Sequence, residues 1–150
     1  MRDEIIIKYN FITQEDIKKL LIFFNESKNI EQYRDTFVLT LNDNFLDIKN
    51  KFNKLNETLI IDWWQVVKWP IGSYQPFHSD HTSNKTKLTS ITYLNDDFKG
   101  GNTVFFDGTK IAPYPSKTIF FNGQLFQHGV STILQNTRYT LACWYKNKYE

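Results

Sequence analysis

A chain of 150 residues has the usual size of one domain and can bury roughly 70% of its unfolded surface, so a single domain over residues 1–150 is expected. Aromatic residues at 17% and hydrophobic residues at 41% exclude a disordered tail or a low-complexity array. The 18 basic and 16 acidic residues are scattered, which excludes a nucleic-acid-binding stripe, and one cysteine, Cys143, excludes an internal disulfide and a four-cysteine zinc site.

The apolar run Ile5-Ile6-Ile7 is too short for a signal peptide, and no stretch approaches the ~20 apolar residues of a membrane helix. With a lone cysteine suited to a reducing compartment, these features predict a soluble, cytoplasmic protein without membrane or nucleic-acid partners. They set no oligomeric state.

In chain order, Thr13-Gln14-Glu15-Asp16 reads as a capping box with Asp in place of the usual Glu or Gln, and Ile17, Leu20, Leu21 and Phe24 follow at helical spacing. A helix over about 14–25 is predicted. A second, over about 43–55, follows from Phe45, Ile48, Phe52 and Leu55 sharing one face. Residues 1–58 are thus expected to form helical support.

From Leu59 the texture changes to β-rich runs over 59–69, 87–94, 103–106, 118–121 and 138–145. Turn signals separate them, among them Pro70-Ile71-Gly72, Gly100-Gly101 and Asn122-Gly123. Two helices followed by many short antiparallel strands predict an α+β fold, a double sheet or jelly roll with both helices packed on one outer face.

The first chemical feature is His78-Ser79-Asp80, because residues i and i+2 of a strand project to one side and can share a metal ion. His128 offers a second imidazole. Two histidines and one carboxylate leave three octahedral positions open, an arrangement associated with non-haem Fe(II) oxygenases. Arg138, one of three arginines against fifteen lysines, heads an apolar run where its guanidinium can grip a carboxylate through two parallel hydrogen bonds.

Four segments together resemble a known family. They are Trp69-Pro70-Ile71-Gly72-Ser73-Tyr74-Gln75-Pro76-Phe77-His78-Ser79-Asp80, Thr92-Tyr93-Leu94-Asn95, Gly100-Gly101-Asn102-Thr103-Val104-Phe105, and Gln127-His128-Gly129-Val130 with Arg138-Tyr139-Thr140-Leu141. In this order the stretch from about 59 to 145 resembles the Fe(II) and 2-oxoglutarate dependent oxygenases, in their prolyl 4-hydroxylase-like branch.

The resemblance implies a double-stranded β-helix over about 59–150, with His78, Asp80 and His128 as iron ligands. It implies that Arg138, assisted by the Tyr93 hydroxyl, binds the distal carboxylate of 2-oxoglutarate. It also implies O₂ as co-substrate, ascorbate as reductant, and hydroxylation of an amino-acid side chain, peptidyl proline first, with release of succinate and CO₂. Trp69 stands where many prolyl hydroxylases carry a tyrosine, and it joins Tyr74 as a candidate substrate contact.

Blander readings stand beside these. A lone His-x-Asp carries little weight, an isolated histidine is more often structural, and Arg138 can belong to an ion pair. Tyr93, on a β-rich run, can be core. Of the neighbouring aromatics Trp63, Trp64, Trp69 and Tyr74, at least one of each adjacent pair should pack the sheet. Cys143 reads as a small buried residue, and His81 receives no metal role.

The alternatives in function are a hydroxylase of a free amino acid or small metabolite, a non-catalytic jelly-roll module that binds a sugar or peptide, and a zinc hydrolase. Arg138 has no explanation in the last, and Asp80 occupies the position a halide would need, which disfavours halogenation.

Overall fold

The computed structural model describes residues 4–80 and 85–149; His81 and its neighbours up to Asn84 lie outside the described residues. In chain order the elements are β1 (Ile6–Lys8), α1 (Gln14–Glu26), β2 (Glu31–Tyr33), β3 (Thr36–Leu41), α2 (Leu46–Asn53), β4 (Leu59–Trp69) and β5 (Gln75–His78). They continue with β6 (Leu88–Tyr93), β7 (Lys99–Gly100), β8 (Thr103–Phe105), β9 (Lys110–Ile111), β10 (Thr118–Phe121), β11 (His128–Val130), β12 (Ile133–Gln135) and β13 (Arg138–Asn147).

Seven strands form the main sheet in the order β1-β10-β6-β13-β4-β3-β2, and four form a second sheet, β5-β11-β8-β9; β12 and β7 make a separate pair. All pairings are antiparallel. The architecture is therefore the expected one of mostly antiparallel sheets with two helices, consistent with a jelly roll.

Helix α1 starts where its sequence says it should. The Thr13 hydroxyl accepts from the Asp16 N–H and the Asp16 carboxylate accepts from the Thr13 N–H, both at 3.0 Å, closing the capping box. Helix α2 is shorter than predicted, beginning at Leu46 rather than about 43. The Asn44 side chain accepts the Asn42 N–H in a local turn, and such a turn competes with helix formation.

The largest departure lies before Leu59, where only helices were predicted and β1, β2 and β3 also form. Strand β3 alternates as a half-buried strand should: Phe37, Leu39 and Leu41 take one face, and Thr36, Val38 and Thr40 take the other, where they line a cavity. It pairs with β4 from Phe37↔Lys68 to Leu41↔Trp64, so the amino-terminal segment extends the main sheet.

Strands β4 and β13 run side by side at the centre of that sheet, with a bulge where Trp144 pairs with Trp63 and Tyr145 with Ile61. The extra residue, Asp62, inverts the alternation along β4. Leu59 and Ile61 before it and Trp64 and Val66 after it therefore join one buried cluster. That cluster also holds Ile17, Leu20 and Phe24 of α1 and Ile48 and Phe52 of α2. The opposite face, carrying Trp63, Gln65, Val67 and Trp69, is turned to the cavity.

No helix among the described residues is long and apolar enough to cross a membrane.

Candidate metal and anion site

His78 ends β5, His128 opens β11, and the two are direct partners in the antiparallel register. Register thus cancels fifty residues of sequence separation and brings the ring centroids to 4.3 Å.

Asp80 arrives differently from the sequence reading. Strand β5 stops at His78, so Asp80 does not reach the histidines by strand alternation. Its backbone N–H donates to the Gly123 carbonyl at 2.8 Å, which ties the segment after β5 to the turn following β10. From there Asp80 Oδ1 lies 3.5 Å from His78 Nε2 and 3.4 Å from His128 Nε2. One donor atom from each of the three residues fits within 4.8 Å of the others.

Both imidazoles have a fixed orientation. His78 Nδ1 lies 3.0 Å from the Pro76 carbonyl and His128 Nδ1 lies 2.8 Å from the Phe126 carbonyl. A carbonyl can only accept, so Nδ1 carries hydrogen in each ring, and in the neutral tautomer both Nε2 lone pairs face Asp80.

Electrostatics match this geometry. Burial works against the charged form of Asp80, but its contacts to His128, His78 and Thr89 outweigh burial and hold the carboxyl well below the usual range. Burial likewise works against charging His78, yet the Asp80 carboxylate raises the imidazole above its usual 6.5.

Arg138, at the head of β13, is 1% exposed. Its guanidinium lies between two rings, with Cζ 4.8 Å from the Trp69 centroid and 5.4 Å from that of Tyr93. Nη2 donates to the Thr103 hydroxyl at 3.0 Å, and the Tyr93 hydroxyl is hydrogen-bonded to that same oxygen. Nε has no hydrogen-bond partner, and among the described residues no carboxylate pairs with the group. Burial pushes the guanidinium down from its usual 12.5, with Tyr93 opposing, but an arginine remains cationic at neutral pH.

One cavity of about 600 Å³ is lined by His78, Asp80, His128 and Arg138 together. One face of β4, β13 and β3 forms its wall, and residues 31–35, which comprise β2 and the turn leading to β3, border it. The donor set suits a divalent iron, and the buried cation with an unpartnered Nε suits a carboxylate delivered from outside.

Of the residues singled out from sequence, the structure gathers His78, Asp80, His128 and Arg138 around this cavity; Tyr93 is fully buried behind its wall, hydrogen-bonded to Thr103, which lines it. Trp69, expected at the substrate, lies against the Arg138 guanidinium, 8% exposed, with Nε1 donating to the Thr140 hydroxyl at 3.4 Å. Tyr74 is 54% exposed and lines the same cavity. In the adjacent pair, Trp64 is core and donates to the Asn42 carbonyl, while Trp63 faces the cavity and stacks on Trp144. Cys143 is buried and its thiol is pushed up to about 12 by burial.

Sequence reading passed over Thr89, Thr103 and Trp144. The last was within reach: residues 138, 140, 142 and 144 of one strand share a face, so Trp144 lies on the Arg138 side of β13. Thr103 follows directly on the Gly100-Gly101-Asn102 turn, but nothing local marks it as a partner of Arg138.

Residues 64–146 match the sequence profile of the 2OG-Fe(II) oxygenase superfamily. No curated protein sequence gives a significant match. Among solved structures, the chain is similar to the viral collagen prolyl hydroxylase of Paramecium Bursaria Chlorella virus-1, with 17% identity, a TM-score of 0.78 and 95% of each chain covered. A Pseudomonas putida prolyl-4-hydroxylase aligns at 14% identity and TM-score 0.74, over 96% of this chain and 92% of its own. A prolyl hydroxylase of Trichoplax adhaerens, in complex with a hypoxia inducible factor peptide fragment, aligns at 15% identity and TM-score 0.76, over 98% and 85%.

Proposed function

Because this chain belongs to the 2OG-Fe(II) oxygenase superfamily, enzymes that use Fe(II), 2-oxoglutarate and O₂, we propose that it hydroxylates an amino-acid side chain. Peptidyl proline is the first candidate, with release of succinate and CO₂. Three structural neighbours are prolyl hydroxylases, one with a bound peptide fragment, and these support that choice of substrate class. We further infer that residues 1–150 work as one oxygenase domain, with α1 and α2 bracing the sheet face opposite the cavity.

In this reading His78, Asp80 and His128 would hold the iron. Arg138 would hold the distal carboxylate of 2-oxoglutarate, with Tyr93 and Thr103 beside it. When bound, iron would supply the site at which O₂ takes two electrons from 2-oxoglutarate, decarboxylated to succinate and CO₂, and two from a substrate C–H bond, one oxygen atom entering succinate and the other the new hydroxyl.

The protein's own residues then position and enclose. The two Nδ1-to-carbonyl bonds keep both Nε2 atoms aimed at one point. Trp69 and Tyr93 shield the guanidinium from water, so that its interaction with a carboxylate is strengthened by low polarity. Trp69 thereby serves the anion end, while Tyr74 at the exposed rim is the residue placed to meet substrate. The chemistry needs no strong acid or base from the chain.

The observation that carries the proposal is a fully buried arginine, without a carboxylate partner among the described residues, on the same cavity as a His/Asp/His cluster. Its test is anaerobic titration of metal-free protein with Fe(II) and 2-oxoglutarate, followed by the visible charge-transfer band of the chelate. The wild type should develop the band, Asp80→Ala and His128→Ala should not, and Arg138→Ala should require more 2-oxoglutarate. Absence of the band in folded wild type would refute the reading. With the band established, stimulation of 2-oxoglutarate turnover by a proline peptide, but not by its alanine counterpart or by free proline, would identify the substrate class.

A further inference from the structure

Asp80 presents its two oxygens to different surroundings. Oδ1 faces both histidines, at 3.5 and 3.4 Å. Oδ2 accepts a hydrogen bond from the Thr89 hydroxyl at 2.6 Å and another from Trp144 Nε1 at 3.3 Å. Gly123 closes the third side, since a Cβ at that position would collide with Oδ2 and with Thr89 Oγ1. The Trp144 ring is itself held in plane by Trp63, with centroids 3.8 Å apart and an angle of 10°. Thr89 and Trp144 are register partners on β6 and β13, so both donors stand on the floor of the main sheet and point the same way.

From this arrangement we propose that Thr89, Trp144 and Gly123 form a clamp that commits Asp80 to binding metal through Oδ1 alone, with Trp63 as the support of the Trp144 ring. The inference rests on the reading of His78, Asp80 and His128 as the metal ligands. None of the clamp residues touches the metal; they are positioning residues.

The clamp has a functional consequence that follows from counting ligands. Two imidazoles and a carboxylate bound through one oxygen occupy three of six octahedral positions. A carboxylate bound through both oxygens would occupy one more, leaving two. A chelating 2-oxo acid and O₂ together require three. A free carboxylate next to a divalent cation can swing to bind through both oxygens, as carboxylates commonly do. Two donors on Oδ2 and a glycine packed behind it resist that swing, because Oδ2 could reach the cation only by leaving both hydrogen bonds.

The test is metal and cofactor binding by Thr89→Val, Thr89→Ser, Trp144→Phe and the Thr89→Val/Trp144→Phe pair, compared with wild type. Valine keeps nearly the shape of threonine without the donor, serine keeps the donor without the methyl group, and phenylalanine keeps a ring against Trp63 without the N–H. Thermal melts of the metal-free proteins verify folding. Co(II) affinity is read from its visible spectrum, and the anaerobic Fe(II)/2-oxoglutarate charge-transfer band is read per bound iron.

Thr89→Val and Trp144→Phe should each weaken metal binding roughly tenfold, as loss of an outer partner of a metal ligand generally does. The paired variant should also lose a large part of its band at saturating iron, and Thr89→Ser should stay near wild type. Wild-type affinity with a full band in the paired variant would overturn the clamp while leaving the metal site standing. Equal losses in Thr89→Val and Thr89→Ser would overturn it as well, since the hydroxyl would then be irrelevant. A folded wild type that takes up no metal would overturn the ligand assignment, and the clamp with it.

Discussion

Replacing Arg138 by Met separates an arginine kept for a ligand from one kept for stability. In the ligand-free protein the guanidinium makes one side-chain hydrogen bond, to Thr103, and lies between Trp69 and Tyr93. A hydrogen bond from a charged donor contributes about 1.5–3 kcal/mol, and each ring contact about 0.5–2 kcal/mol. Against these stands the cost of burying a cation without a counter-charge, several kcal/mol. The terms nearly cancel, and methionine restores apolar packing, so Arg138→Met should change ligand-free stability by no more than about 2 kcal/mol in either direction.

With ligand the two proteins should diverge. A wild type holding 2-oxoglutarate at a hundred times its Kd gains about 2.7 kcal/mol, which for a chain of this size is about 5–10 °C in Tm. The variant should gain almost nothing. The assay is a set of thermal melts with and without 2-oxoglutarate, in the presence of Mn(II) as a redox-stable substitute for Fe(II). Two results would refute the reasoning: a ligand-free variant destabilised by more than about 3 kcal/mol, the signature of a broken structural ion pair, or a 2-oxoglutarate shift that survives the substitution.

Protons and metal should compete at the His/Asp/His cluster. The raised pKa of His78 contributes stability that is present below pH 6.5 and lost as pH rises through the folded value; the lowered pKa of Asp80 contributes stability that is present above pH 3.8 and lost as pH falls. Melts of metal-free protein should therefore show this pair stabilising most between those limits, whereas Co(II) affinity should climb as pH rises through the His78 range. Gly100→Ala, at φ +74° with its Cβ driven into the Thr132 carbonyl, should cost about 2–4 kcal/mol in urea unfolding and leave the β12–β7 pair disordered. Cys143, buried with its pKa pushed up to about 12, should resist a thiol reagent at pH 8 in native protein and react at once in denaturant.

Some of this molecule is written locally. The capping box at Thr13, the eleven-residue run of β4 and the four residues of β10 were legible because each depends on neighbours a few positions away. Strand β3 was equally alternating, but it lies between two helical patterns and shows its role only in pairing with β4. His78 and Asp80 were singled out by their spacing, His128 and Arg138 by the scarcity of imidazoles and guanidinium groups in the chain, and all four by the order of the segments that carry them.

What sequence could not decide was who meets whom. The pairing of His128 with His78 is a matter of register between β11 and β5, and Asp80 reaches them through a backbone bond to Gly123 instead of along a strand. The Trp144 donor on Asp80 Oδ2 and the rings around Arg138 join residues tens of positions apart, and even the Thr89 donor lies nine positions from Asp80, beyond the stop of β5 at His78. Periodicity and caps are short-range quantities, fixed by dihedral preference and the pattern of apolar residues; register and enclosure are fixed by the packing of whole sheets. The sequence therefore determined which groups this protein has for its chemistry, and only the tertiary structure decided which of their atoms face one another.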